Sequence, residues 1–120
     1  MNPAPAHDLF SALADPTRVR ILALLLRGEQ CVGDLVTILK LAQPTASRHL
    51  SVLRRAGMVR VRTADPWKFY SLQRPAGAVH ARVLECVKAC ARTLPQLARD
   101  EAARVSLQRK GGCCPGHSCA

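Results

Sequence analysis

Apolar residues recur every three or four positions along the first third of the chain, as they do on one face of an α-helix. The pattern predicts a first helix over residues 7–14. Asp15 and Pro16 then begin a second helix, since aspartate caps helices and proline is accepted at the first helical position. Because glycine favours the position after a helix end, the second helix should stop near Gly28. A third helix is predicted over residues 31–39.

The fourth predicted helix is apolar on one side and basic on the other. It opens at Gln43 and closes at Gly57, and a helical wheel places Ala46, Leu50 and Leu53 together, facing the core. It contains no acidic residue and follows the third helix after a short turn. Two consecutive helices in this arrangement are typical of a helix-turn-helix, in which the second helix reads DNA.

Two β-prone runs follow the fourth helix. They are Met58–Arg62 and Trp67–Leu72, and Pro66 lies in the loop over residues 63–66 between them. This arrangement predicts a β-hairpin whose proline is kept out of the strands. A hairpin directly after a recognition helix is a wing. The predicted fold class is therefore mainly α with a small β-hairpin, a winged helix-turn-helix.

A long helix is predicted after Pro75. Its apolar stripe runs from Val79 through Val83 and Val87 to Cys90. We expect this stripe of the fifth helix to form a dimer seam together with the first helix.

The end of the chain predicts a further helix and a tail. Thr93 is a candidate cap, so a break is expected near it, followed by a helix from Leu94 to about Gln108. The predicted organisation is a winged helix-turn-helix and dimerisation domain over residues 7–92, a C-terminal helix over 93–110 and a cysteine-rich tail over 111–120.

The charge of the chain indicates a polyanionic partner. Eighteen Lys and Arg residues stand against eight Asp and Glu residues in 120 positions, which gives a net charge of +10. Residues 40–74 hold eight of the basic residues and only one acid, Asp65. With four aromatic residues in the whole chain, a single-strand binder that stacks bases on aromatic rings is disfavoured. The charge therefore favours a protein that binds double-stranded DNA.

Candidate DNA contacts lie on the fourth helix and on the hairpin. Near the N-terminus of that helix, where side chains reach base edges, stand Gln43, Thr45, Ser47 and Arg48. The predicted phosphate contacts are Arg55, Arg60, Arg62 and Lys68. His49 is either a further DNA contact or a flank residue packed against the second helix. The scattered basic residues beyond residue 80 are interpreted as solvated surface: Arg82, Lys88, Arg92, Arg99 and Arg104.

Six cysteines add a second candidate chemistry. The longest strongly apolar run, Ile21–Leu26, is too short to span a membrane, and the first seven residues lack the pattern of a secretory signal. We therefore expect a cytoplasmic protein. In that reducing compartment, cysteines are metal ligands, redox sensors or buried apolar residues rather than a disulfide framework.

Several segments resemble the ArsR/SmtB family of metal-responsive winged-helix repressors. The resemblance covers roughly residues 7–92 and is carried by Leu13–Arg18, Gln30–Leu35, Gln43–Pro44 and Ser47–Leu50. It implies a homodimer that binds operator DNA and leaves it when a metal or metalloid inducer binds.

Two metal sites of that family are incomplete in this sequence. The arsenic motif of the third helix uses two close cysteines, often with a third one turn on, but here only Cys31 remains, with Gly33 and Val36 at the other positions. The fifth helix carries His80 without a second histidine at the spacing that zinc sensors use. The resemblance therefore disfavours both sites.

The tail offers a different thiol cluster. Cys113 and Cys114 are separated from Cys119 by a Pro-Gly turn, so three sulfurs could converge on one soft ion. The resemblance points to trivalent arsenic, because some family members bind it through a vicinal cysteine pair and a nearby third cysteine. A zinc site that adds His117 is the structural alternative. Cys86 and Cys90 lie one helical turn apart, and a role in packing is favoured over metal ligation for both. Cys31 can likewise be interpreted as a small buried apolar residue.

The sequence thus predicts a homodimeric repressor released from DNA by As(III) or a related soft metal(loid), with no organic cofactor and no enzymatic activity. One alternative is a repressor of the same fold whose thiols sense oxidation. A small thiol enzyme is the third hypothesis, disfavoured because the chain has no βαβ pattern and no C-x-x-C motif.

Overall fold

A computed structural model describes residues 5–112 of the chain. Six helices and three strands make up this part. In chain order they are α1 (Ala6–Leu13), α2 (Pro16–Leu25), β1 (Gln30–Cys31), α3 (Val32–Leu39), α4 (Gln43–Arg55), β2 (Val59–Ala64), β3 (Trp67–Leu72), α5 (Ala78–Thr93) and α6 (Pro95–Arg109).

Helix α2 begins as the sequence predicts. The carboxylate of Asp15 accepts hydrogen bonds from the backbone N–H groups of Thr17 at 2.7 Å and Arg18 at 3.3 Å, and Pro16 takes the first helical position. Burial raises the pKa of Asp15, but these two donors, together with electrostatic interactions with His49 and Arg18, outweigh burial and lower the pKa below its ordinary value.

The three strands form an antiparallel sheet in the order β1, β3, β2. The hairpin confirms the predicted wing and is longer than expected, because β2 continues to Ala64, which pairs with Trp67. Strand β1 was not predicted. It pairs Gln30 with Tyr70 and Cys31 with Phe69, and two residues are too few to show an alternating pattern.

The core is centred on α2, which is buried on most of its faces. Ile21, Leu22 and Leu24 of this helix are almost fully enclosed. Helices α3, α4 and α5 pack around α2, and the predicted core face of α4 is confirmed because Ala46, Leu50 and Leu53 are all buried. A second, smaller cluster joins Cys31 to Phe69, with Trp67 packed against it.

The apolar stripe of α5 faces the protein's own core. Val83 is 3% exposed and Val87 is 1% exposed, and Cys90 packs against the same cluster. The prediction that this stripe forms a dimer seam is therefore wrong for Val83 and Val87, because their side chains are already covered within one chain. Val79 is the exception, with 44% of its surface exposed.

Helix α6 begins after the expected break, but its cap differs from the prediction. Leu94 is the capping residue and makes no side-chain hydrogen bond, while the hydroxyl of Thr93 donates to the carbonyl of Ala89 at 2.8 Å inside α5. The helix packs against α2, α3 and α5. Arg104 was expected to be solvated surface, yet its guanidinium is largely buried and binds Glu101 and Gln108.

None of the helices within residues 5–112 combines the length and the apolar character needed to cross a membrane.

His80 is a buried histidine near the start of α5. The residue is 5% exposed, and its Nδ1 accepts a hydrogen bond from the backbone N–H of Ala76 at 3.4 Å. Burial lowers the pKa of His80 because it disfavours the charged imidazolium. The unfolded chain therefore binds a proton more readily than the folded chain does.

We expect His80 to make the folded state sensitive to mild acid. Its contribution is fully present above the unfolded pKa of about 6.5 and is lost as the pH falls through the lower pKa of the folded state. The substitution His80→Asn keeps an acceptor for Ala76 and removes the titration. It should flatten the pH dependence of the free energy of unfolding, measured in urea between pH 7.5 and 5.

The matched control is His7→Asn, because His7 is exposed at the start of α1. This variant should keep the slope of the parent protein. Equal slopes for the parent and His80→Asn would show that His80 does not contribute.

Candidate nucleic-acid interface and cysteine sites

The first turns of α4 present polar side chains to solvent, while the apolar face of the helix is buried in the core. Gln43, Ser47 and Arg48 are exposed, and Thr45 is half-buried. A guanidinium nitrogen of Arg48 donates to the hydroxyl of Thr45 at 3.3 Å, which orients the arginine beside the helix start. An exposed and polar N-terminal end is the part of a recognition helix that reaches base edges in the major groove.

His49 packs against α2, as one of the two sequence interpretations proposed. Its Nδ1 lies 3.3 Å from a guanidinium nitrogen of Arg18. Arg18 also donates to the backbone carbonyls of Ala12 at 2.7 Å and Ser11 at 3.1 Å. One arginine therefore links the end of α1 to the middle of α4. The DNA contact of His49 stays a prediction.

The wing adds exposed positive charge near the start of β2 and near the start of β3. Lys68 is exposed, and the exposed Arg60 donates from Nε to the hydroxyl of Ser71 at 3.1 Å. An open cavity of about 400 Å³ separates this hairpin from the start of α4, with Gln43 and Ser47 on one side and Lys68 on the other.

Arg62 is held by the protein itself. Its guanidinium donates to both carboxylate oxygens of Glu29, at 2.7 and 3.1 Å, and lies 4.3 Å from the ring centre of Phe69. The hydrogen bond with Glu29 raises the pKa of Arg62. Sequence reasoning missed this pair because the two residues are 33 positions apart. The phosphate contacts of Arg55, Arg60, Arg62 and Lys68 stay predictions, and Arg62 is the one whose charge is already paired.

Cys31 caps the N-terminus of α3 and belongs to the small core cluster that it forms with Phe69. It is fully buried, and its Sγ accepts a hydrogen bond from the backbone N–H of Asp34 at 3.3 Å. Cys31 is disulfide-bonded, whereas Cys86 and Cys90 are free. The prediction that Cys31 is a small buried apolar residue is therefore incomplete, since its sulfur also accepts a hydrogen bond and forms a disulfide.

The two cysteines of α5 differ from each other. Cys86 is exposed, so its predicted role in packing is wrong within a single chain, and Cys90 is half-buried against the core. Within residues 5–112 no three His, Cys, Asp or Glu side chains come together as a metal site would require. The predicted ligands Cys113, Cys114 and Cys119, and His117 of the zinc alternative, lie outside the described residues.

Residues 15–61, from the cap of α2 to the start of the wing, match the family model described as bacterial regulatory protein, arsR family. The chain is 42% identical over 84 residues to an uncharacterised helix-turn-helix transcriptional regulator of Methanocaldococcus jannaschii, covering 69% of this chain and 88% of that one. The chain belongs to the arsR family. The prediction from the sequence is thereby confirmed.

Two further similarities bear on what this ArsR-family chain does. The arsenical resistance operon repressor of Escherichia coli is 42% identical over 79 residues, covering 65% of this chain and 68% of the relative. A structure of reduced HlyU from Vibrio cholerae superposes with a TM-score of 0.64 at 33% identity, covering 75% of this chain and 88% of that one. This ArsR-family chain is a DNA-binding transcriptional regulator and not an enzyme.

Proposed function

We propose that the chain is a homodimeric, cytoplasmic repressor that binds palindromic operator DNA and leaves it when Cys113, Cys114 and Cys119 bind trivalent arsenic or a related soft metal(loid). DNA binding, the first part of this proposal, is supported by the start of α4, whose polar side chains are exposed. The opposite face of this helix is fixed in the core by the buried side chains of Ala46, Leu50 and Leu53. The similarity to an arsenical resistance operon repressor supports the inducer.

Exposed apolar side chains on α1 and α5 support a dimer. Phe10 of α1 is 59% exposed and Val79 of α5 is 44% exposed, and the two helices are in contact. A two-fold dimer through these helices would cover both side chains and would present two copies of α4 to successive major grooves of a palindromic site. The seam of this proposal uses Phe10 and Val79 rather than the buried Val83 and Val87.

Release requires the inducer to prefer the form of the protein that binds DNA weakly. An inducer shifts an equilibrium only by its difference in affinity for the two states. A 100-fold loss of operator affinity corresponds to about 2.7 kcal/mol of coupling between the thiol site and α4. The proposed coupling acts through α6, which packs against α2 and α3 directly before the tail.

Deleting residues 113–120 tests the inducer site. The truncated chain should bind operator DNA with the affinity of the full chain, because α4 and the wing are unchanged. Arsenite should no longer release it, whereas the full chain should lose about 100-fold in affinity. Fluorescence anisotropy of a labelled operator measures both quantities. Release of the truncated chain at the same arsenite concentration would overturn the tail as the site.

A redox-sensing repressor of the same fold is the second candidate. The disulfide at Cys31 supports this candidate, because a thiol redox sensor needs a cysteine whose sulfur forms a disulfide. The two functions separate when the same operator assay is run with peroxide and, in the presence of a reductant, with arsenite. Release by peroxide alone supports the redox sensor, and release by arsenite under reducing conditions supports the metalloid repressor.

A further inference from the structure

The side chain of Arg18 joins three helices at one point. It starts from the first turn of α2, and its Nε and one terminal nitrogen donate to the carbonyls of Ala12 at 2.7 Å and Ser11 at 3.1 Å. These carbonyls belong to the last turn of α1, where backbone acceptors lack partners within the helix. The other terminal nitrogen lies 3.3 Å from Nδ1 of His49 on α4. The two backbone contacts fix the planar guanidinium, so its third donor approaches His49 from a fixed position.

The contacts of Arg18 bridge a gap between α1 and α4. An open cavity of about 290 Å³ lies between these helices, with Asp8 and Ser11 on one wall and Val52 and Arg55 on the other. Helix α1 packs against α2 and α5, whereas α4 packs against α2, α3 and β2. The position of α4 beside α1 is therefore set through α2 and through the side chain of Arg18.

The contact with Arg18 also decides which nitrogen of His49 carries the ring hydrogen. A guanidinium has five N–H donors and no acceptor, so Nδ1 of His49 is the acceptor in this contact. A neutral imidazole whose Nδ1 accepts carries its hydrogen on Nε2. His49 forms no second hydrogen bond with a described residue, so this Nε2–H group is available to a partner.

The place of His49 on α4 indicates what that partner is. The residue lies on a flank of the helix, half-buried between the core face and the exposed face that carries Arg48. When a recognition helix lies in the major groove, its outward face meets the base edges and the sugar–phosphate strands run along its sides. A donor on the flank is therefore placed for a phosphate oxygen rather than for a base.

We propose that Arg18 is a positioning residue for DNA binding, which holds His49 in the tautomer whose Nε2–H donates to a phosphate oxygen of the DNA. This role requires neither an inducer nor the cysteine tail, and so goes beyond the proposed function. It connects the DNA backbone, through two side chains, to the carbonyls that end α1. The position of α4 on the DNA and its position beside α1 then depend on the same contacts.

The variant His49→Ala tests the phosphate contact. It should bind a duplex that the parent protein selects from a random pool about 10-fold more weakly, because a hydrogen bond to a charged group is lost. A scrambled duplex should lose the same factor, since a phosphate carries no sequence information. The salt dependence of binding should stay that of the parent, because a neutral donor displaces no counterion. Fluorescence anisotropy at pH 8, above the ordinary histidine pKa of about 6.5, measures all three.

Two further changes test whether Arg18 acts through His49. His49→Gln should restore most of the affinity, because its amide accepts from Arg18 through oxygen and still donates through nitrogen. Arg18→Ala should lose about as much affinity as His49→Ala, and the double variant should lose no more than either alone. Arg27→Ala, which removes the same charge from an exposed residue after α2, is the control and should change affinity little. Losses that multiply in the double variant would show that Arg18 acts independently of His49.

Nitrogen-15 NMR of the imidazole rings reports the tautomer directly, which a purely structural role of Arg18 would leave unchanged. His49, identified by the signal missing in His49→Gln, should show a bare Nδ1 and a protonated Nε2, and its Nε2 signal should shift when DNA is added. Arg18→Ala should show both tautomers. An Nε2 signal that DNA leaves unchanged, or a loss confined to the selected duplex, would overturn the phosphate contact. If Arg18→Ala does not fold in urea titrations, the failure of His49→Gln to restore affinity would still overturn the role of Arg18.

Discussion

Replacement of Arg48 by alanine is expected to weaken operator binding by about 10- to 100-fold, which corresponds to about 1–3 kcal/mol for a lost contact to a base edge. Arg48 is exposed on the second turn of α4 and hydrogen-bonds to Thr45. The helix beneath it is anchored by three buried side chains, so the substitution removes a contact without moving the backbone. Preference for the operator over unrelated DNA should fall together with affinity.

Two further variants, one of a lysine and one of an arginine, distinguish a contact to bases from simple loss of positive charge. Lys68→Ala on the wing should weaken binding to all DNA sequences about equally and reduce the salt dependence of binding, as expected for a phosphate contact. Arg109→Ala removes the same charge from the exposed end of α6 and should change operator affinity little. Titrations of operator and scrambled duplexes at two salt concentrations measure these effects. If Arg48→Ala lowers affinity no more than Arg109→Ala does, the start of α4 does not read the operator.

Periodicity predicted α1, α3, α4 and α5 because each of these helices buries one apolar face. The start of α2 was predicted from Asp15 and Pro16, whose capping chemistry is local and therefore visible in the sequence. Gly57 was predicted to close α4, and its φ of 76° confirms the left-handed conformation expected after a helix end. Elements whose signals extend over a few neighbouring residues were thus predictable.

Features that depend on distant partners were not predictable. The pairing of β1 with β3 brings Cys31 beside Phe69, 38 positions later in the chain. The ion pair of Arg62 with Glu29 likewise depends on how the wing lies against the loop before α3. The stripe on α5 was assigned to a dimer because a helical pattern shows that a face is apolar but does not show which surface covers it.

The candidate thiol site also has one feature that is visible in the sequence and another that depends on the fold. The crowding of Cys113, Cys114 and Cys119 is visible in the sequence, and it predicted the tail as the inducer site. The burial and the disulfide bond of Cys31 are visible only in the fold.

Breaking the ion pair between α2 and α6 is the change for which we expect the largest loss in the free energy of unfolding. Arg20 donates from Nε to one carboxylate oxygen of Asp100 at 2.8 Å and from a terminal nitrogen to the other at 2.9 Å. The side chain of Asp100 is only 4% exposed, and that of Arg20 is 21% exposed. This paired hydrogen bonding raises the pKa of Arg20 and joins two helices 80 positions apart.

Arg20→Ala should lower the free energy of unfolding by about 3 kcal/mol, since it leaves a buried carboxylate without its cation. The effect lies at the lower end of the range for buried pairs because Gln96 still donates to Asp100 at 3.0 Å. The matched control is Arg82→Ala, which breaks an ion pair with Glu85 whose side chains are 77% and 60% exposed and should cost less than about 1 kcal/mol.

The double variant Arg20→Met with Asp100→Leu completes the experiment. It removes both charges and keeps similar volume, so it should recover most of the stability lost in Arg20→Ala, because the cost comes from the unpaired carboxylate rather than from the missing attraction. Urea unfolding of the four proteins measures these differences. If Arg20→Ala is no less stable than Arg82→Ala, the buried pair does not hold α6 in place. The link from the tail through α6 to α2 would then need another explanation.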